Sequence, residues 1–215
     1  MSTGQIAVIA LSVVLAMWYL GGMVANRKRG MATYYWLREG LQAVIGEVSE
    51  GRWIGSAAGG ARLVVGKANA PFHRVEVVFL LEAREILPWW LFNRLRGKQD
   101  EMIFKASLRA LPVAFDAAPA ESAALRQMEV EGKPRRAEGP LGLVFLLRGK
   151  TTMADLAPWQ EFLRKYGAAV RSLSVSRRQP HAVMRVALPP LQAQGEPAAA
   201  FFAALAEACR ASVKD

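Results

Sequence analysis

Residues Ile6 to Val24, IAVIALSVVLAMWYLGGMV, carry no charge, and no charged side chain precedes Asn26. A helix needs roughly 20 apolar residues to cross a bilayer core, so this stretch is expected to be a transmembrane anchor. Ile6, Val8, Leu11, Val14 and Leu15 would face the acyl chains. Trp18 and Tyr19 would lie near the headgroups, where amphipathic rings are favoured. A secretory signal has basic residues before a shorter apolar run. Here MSTGQ has none, and Arg27, Lys28 and Arg29 follow the run instead. That pattern predicts an uncleaved single-pass anchor in a cell membrane with the N-terminus outside and the rest cytoplasmic. A buried soluble helix is the competing reading, but such a helix seldom lacks a polar face.

The charge beyond the anchor bounds the partners. The 215 residues are 53% hydrophobic and 21% charged, enough to bury a core, and all of the formal charge of +10 lies after Ala25. A basic domain tends to meet anionic lipid, nucleic acid or acidic protein. The single cysteine, Cys209, excludes an internal disulfide.

Periodicity predicts an α+β fold: one N-terminal transmembrane helix, then a cytosolic domain of short antiparallel strands and amphipathic helices. Leu37, Leu41, Val44, Ile45 and Val48 recur at helical spacing. Strands are expected at Ala61–Gly66, in RVEVVFLLE and in EMIFKASLR, where apolar and polar residues alternate. LGLVFLLRG is a buried run of uncertain type. Thr152 and Asp155 have capping spacing before a stripe of Trp159, Phe162, Leu163 and Tyr166. VRSLSVSR and HAVMRVALPP alternate as a hairpin, and a last helix carries Phe201, Phe202, Leu205 and Cys209 on one side. The expected organisation is an anchor and basic stop over 1–29, a first α+β unit over 30–118, a linker or excursion over 119–140 and a second unit over 141–215.

The segment LPWWLFNRLRGKQD joins two of those strands. Pro88 suits a first helical turn, and the helical period puts Leu87, Leu91, Phe92 and Leu95 on one stripe, expected to pack on the sheet. Trp89 and Trp90 fall on its borders with Arg94, Arg96 and Lys98 close by. Cover by neighbouring loops, lipid headgroups and a protein partner all suit such borders. These five residues are the candidate membrane or partner contact.

Catalytic and metal signatures are thin. RGKTT lacks the leading glycine of a phosphate-binding loop, since Val144 holds that position. The GSAAGG stretch reads as a turn, and the two histidines, His73 and His181, have no spaced Cys/His set around them. Cys209 lies on an apolar stripe, and Glu82, Glu85, Asp100 and Glu101 read as solvated charges flanking a helix. No catalytic residue, metal or cofactor is assigned, and no small-molecule substrate is expected. The basic groups Arg94/Arg96/Lys98, Lys133/Arg135/Arg136 and Arg177/Arg178 form no nucleic-acid motif, and solvated surface is the default reading.

Two blocks nevertheless carry a resemblance. VEVVFLLEAREILPWWLFNRLRGKQDEMIFKASL, and LGLVFLLRGKTTMADLAPWQEFLRKYGAAVRSLSVSRRQPHAVMRVALPP with its following helix, resemble in element order the cytosolic domain of calumin-like proteins. Calumin is the coiled-coil-domain-containing member of the PAT complex, which works at the translocon of the endoplasmic reticulum with the small membrane protein Asterix. The resemblance spans about Arg62 to Val213 behind one anchor helix. The family's acidic lumenal region and basic coiled-coil tail have no counterpart here, so calcium binding and ribosome contact through a tail are not carried over. The resemblance implies a short, prokaryotic-type relative acting as a non-enzymatic scaffold or chaperone-like factor beside the protein-conducting channel. A eukaryotic member would reside in the endoplasmic reticulum membrane. Translocon subunits or a small membrane protein are the implied partners, with ribosomal RNA or anionic lipid as further contacts. A peripheral protein that binds anionic lipid or organises membrane is the second expectation.

Overall fold

A computed structural model describes residues 2–130 and 134–213; Lys133 lies outside the described residues. One helix, α1 (Thr3–Val44), takes up the apolar run and the amphipathic stretch after it without a break. At 1.5 Å per residue it is roughly 63 Å long. Ser2 caps it, accepting from the Gln5 amide at 3.4 Å while the Gln5 side chain accepts from the Ser2 amide at 2.9 Å. It is long and apolar enough to cross a membrane, and its most apolar window is not buried against the rest of the chain. Burial begins at Asn26 and recurs at Gly30, Thr33, Leu37, Gly40 and Leu41. Spacings of three and four residues keep these on one face.

The strands are β1 (Glu50–Trp53), β2 (Gly60–Val65), β3 (Phe72–Leu80), β4 (Glu101–Leu108), β5 (Phe115–Pro119), β6 (Arg135–Glu138), β7 (Leu143–Leu147), β8 (Val170–Val175) and β9 (Ala182–Ala187). All pair antiparallel in one nine-stranded sheet of order β1-β2-β3-β4-β9-β8-β5-β7-β6. The helices are α2 (Leu87–Leu95), α3 (Ala123–Val130), α4 (Ala157–Tyr166), α5 (Leu188–Gln192) and α6 (Ala198–Ala211). The second half of α1 packs with α6, and α6 with α4, over one sheet face. Leu37, Val77, Phe104, Phe145, Trp159 and Phe202 belong to the same core. A Cβ on Gly40 would lie 2.5 Å from that of Ala198, so this glycine sets how closely α1 and α6 approach.

The sheet corrects the expected division into units. β4, within 30–118, pairs with β9, within 141–215, and the two spans share one core. The expected linker over 119–140 holds α3 and β6, which lie beside β5 and β7. The LGLVFLLRG run forms β7, and Thr152 donates to Asp155 through its amide and hydroxyl, both at 2.9 Å.

The strands give the domain two ends. The apolar half of α1 leaves beside the β3–α2 loop, where Asn26 donates to the Glu82 carbonyl at 2.6 Å; this is the proximal end. The helix finishes near Asn69, whose amide donates to the Ile45 carbonyl at 2.7 Å, at the distal end. β3 therefore runs toward the proximal end, and antiparallel pairing puts the start of β4 and β8 there too. The ends of β8 and β7 and the start of β5 are distal.

Candidate membrane-facing site

The loop from Leu81 to Asp100 carries α2 beyond the sheet edge, beside the last turns of the apolar half of α1. Trp18 Nε1 donates to the Arg84 carbonyl at 2.9 Å, and its ring lies 5.7 Å from that of Trp90. A Cβ on Gly22 would fall 2.7 Å from the Arg84 carbonyl oxygen, so the bare helix surface admits the loop. Between the two helices runs an almost wholly apolar groove of about 640 Å³, lined by Val14, Met17, Trp18, Gly21, Ala25 and Trp90 among others.

Asp100 ties this end together. Its side chain is fully buried and receives Arg29 Nε at 2.8 Å, Arg84 at 2.9 Å and the Glu82 amide at 2.9 Å. Asn26 adds a second link, donating to Glu85 at 3.1 Å and accepting from Arg84 at 2.9 Å. A buried carboxylate is tolerable because two guanidiniums and an N–H surround it. Asp100 is thus a clamp between α1 and the α2 loop, not the solvated charge expected from the sequence. Arg29, read as a topology signal, is one of its partners, whereas Arg27 and Lys28 are exposed.

The structure reverses the expected orientation of α2. Leu91, Phe92 and Leu95 are 51%, 43% and 81% exposed, and Asn93 is the buried residue of the helix. The reason is steric competition: α1, α4 and α6 already cover the apolar sheet face, and α2 sits past the end of β3 and β4. Trp90 turns inward against Trp18, while Trp89 is half exposed and stacks on Phe92 at 5.8 Å. Arg96 lies 4.1 Å from the Phe92 ring centre, Arg94 5.8 Å from Trp90 and Lys98 5.9 Å from Trp89. The candidate contact residues therefore come together as one outward surface of apolar rings with cations over them, except that Trp90 serves the joint with α1. On α1, Ile6, Val8, Leu11, Val14, Leu15, Trp18 and Tyr19 are all exposed.

Polar atoms at this end are incompletely paired. Glu82 Oε1, Trp90 Nε1 and Asn93 Oδ1 are buried and make no hydrogen bond within the chain. Burial pushes the Glu82 carboxyl above the usual carboxylate range, against the pull of Arg84. Each such group costs roughly 1–3 kcal/mol, so this end is the less self-sufficient part of the fold. Elsewhere, burial raises the Cys209 thiol, which suits an inert core residue. Among the described residues no His, Cys, Asp and Glu group is placed to hold a metal. The basic groups do not converge: Arg94, Arg96 and Lys98 are proximal, while Arg177 and Arg178 follow the distal end of β8. Compared with models of protein families and with curated protein sequences, the chain matches none.

Proposed function

We propose that the chain is a single-pass membrane protein, N-terminus outside and domain cytoplasmic, acting as a non-enzymatic scaffold that assists membrane-protein insertion or biogenesis near the protein-conducting channel. The observation that carries this reading is the surface of α2. Trp89, Leu91, Phe92 and Leu95 are exposed, and α2 is fastened to the apolar half of α1 at the level of Trp18. An exposed apolar row beside cations suits the headgroup layer and membrane-embedded segments that reach it. The unbroken α1, held by Asp100 and by its packing on α6, would fix the domain relative to the bilayer. The resemblance to calumin-like proteins supplies the channel and a small membrane protein as the partner class.

The test is a photoreactive side chain at Leu95, the most exposed residue of α2, in native membranes. Adducts with translocase subunits or a small membrane protein are expected. Their absence removes the scaffold reading. A second reading, binding of anionic lipid, is favoured by Arg94, Arg96 and Lys98 over the aromatic rings. Adducts with lipid alone would select it.

A further inference from the structure

A second cleft, of about 630 Å³, opens at the proximal end between α2, the turn after it and the starts of β4 and β8. Two of the buried oxygens that make no hydrogen bond within the chain, Glu82 Oε1 and Asn93 Oδ1, belong to residues that line it. The Glu82 side chain is 7% exposed and Asn93 is 6% exposed. The turn over residues 98–100 draws the lining together. Its Lys98 amide donates to the Asn93 carbonyl at 3.0 Å, Gln99 Oε1 accepts from Arg171 at 3.1 Å, and Asp100 accepts from the Glu82 amide at 2.9 Å.

The polar groups of this cleft are unequally engaged. Asp100 is taken by Arg29 and Arg84, and Glu101 pairs with Arg185 at 2.7 Å. Glu82 meets Arg84 only through its other oxygen, Oε2, at 3.6 Å. Lys98 and Arg171 are exposed and have no acidic partner among the described residues. The cleft therefore offers spare positive charge beside two idle acceptors. Arg84, Arg94 and Arg29 all act on Glu82, and cations so placed repel an ammonium ligand. A hydroxyl can donate to the same oxygens without that repulsion. Both oxygens are already screened from water, so a donor that reaches them replaces no bond to solvent.

We propose that this cleft binds the headgroup of a phosphoglycerol lipid, its diol donating to Glu82 Oε1 and Asn93 Oδ1 and its phosphodiester lying against Lys98 and Arg171. An ammonium and a guanidinium suit a phosphodiester, and the volume is that of a small-ligand site. Trp89, half exposed in the lining, stacks on Phe92 and leads from the cleft to the exposed apolar row of α2, a path for the acyl chains. The inference rests on the membrane-facing reading of α2 and names the headgroup that the lipid reading leaves open.

Isothermal titration of the full-length chain in detergent with dioctanoyl lipids tests it. Phosphoglycerol and phosphoserine headgroups are the informative pair, since they carry the same net charge and only the first carries a diol. Saturable 1:1 binding of the phosphoglycerol lipid is expected, about fivefold tighter or more than that of the phosphoserine lipid. Asn93→Leu and Glu82→Leu, each removing one idle acceptor, should reduce that ratio to about twofold or less. Lys98→Ala/Arg171→Ala should weaken both lipids together by about tenfold, while Arg27→Ala/Lys28→Ala, outside the cleft, should leave the ratio unchanged. Equal affinity for the two headgroups, or an unchanged ratio in both leucine variants, would overturn this inference and leave the lipid reading of α2 standing. Binding of neither lipid would overturn both, and would leave the scaffold reading to the crosslinks from Leu95. Glycerophosphoglycerol binding as tightly as the lipid would overturn the membrane source of the ligand.

Discussion

The proximal and distal ends of the sheet handle buried polarity differently. At the distal end Asp116 is closed by Arg148 and Ser174, and His181 Nδ1 accepts the Leu108 amide at 2.8 Å. At the proximal end Asp100 is equally well paired, yet Glu82, Trp90 and Asn93 around it each keep a buried atom unused. Leu91, Phe92 and Leu95 form one exposed apolar surface at the proximal end, whereas Leu111 and Val130, exposed toward the distal end, lie on separate elements. Trp159 Nε1, beside Phe115 at the distal end, is also buried and unpaired, but the other three such atoms gather at the proximal end, whose surface suits an apolar neighbour. That difference is the observation behind the proposed membrane-facing role of α2.

Removing the clamp should have the largest effect. Asp100→Ala leaves two guanidiniums without their carboxylate, a change that costs roughly 3–5 kcal/mol when fully buried. Arg29 and Arg84 are 40% and 21% exposed, which lowers the expectation to about 2–3 kcal/mol. Thermal unfolding in detergent should show a Tm lower by roughly 5–10 °C. An unchanged Tm would mean that α1 and the α2 loop are joined by other contacts.

Next comes the joint at Trp18. Trp18→Ala deletes the hydrogen bond to the Arg84 carbonyl and the contact with Trp90, a loss of about 1–2 kcal/mol. Because only the joint is touched, the readout is cleavage of the α2 loop by trypsin at Arg94 and Arg96, which should quicken while the distal Arg177 and Arg178 sites keep their rate.

Acid should act on the two ends with opposite sign. Burial raises the Glu82 pKa, so its stabilising contribution is full below the unfolded value of roughly 4.3 and is lost as pH rises through the folded value. Glu82→Gln should therefore raise the Tm at pH 7, and the gain should vanish as the pH approaches roughly 4.3. His181 is lowered by burial, so its contribution is full above roughly 6.5 and is lost as pH falls through the folded value. The protection factor of the Leu108 amide, bonded to His181, should drop over that range. The smallest effect belongs to Leu95→Ala: at 81% exposure it should change stability by less than about 0.5 kcal/mol, while reducing membrane or partner crosslinking from α2.

Much of the architecture was legible in the sequence because it rests on local period. The apolar run, the alternation in β3, β4, β8 and β9, and the stripes of α4 and α6 each announce an element. What escaped depends on distant partners. β5, FDAAP, has a charge and a proline and no alternation that announces a strand; it is one because Arg148 and Ser174 pair its aspartate and β7 and β8 flank it. Likewise, the period of α2 identified its apolar stripe, but no local signal says that the sheet face is already occupied. The serine row of VRSLSVSRR was visible as alternation, whereas its position beside α3 is a tertiary fact.

The central claim concerns depth, and spin labels at Leu95 and at Arg177 of the full chain reconstituted in vesicles test it directly. Comparing collisions with oxygen, which partitions into lipid, and with a water-soluble nickel chelate gives the depth of each label. The Leu95 label should lie at the headgroup–acyl boundary and the Arg177 label in water. A Leu95 label as accessible to the chelate as the one at Arg177 would contradict the membrane-facing role of α2.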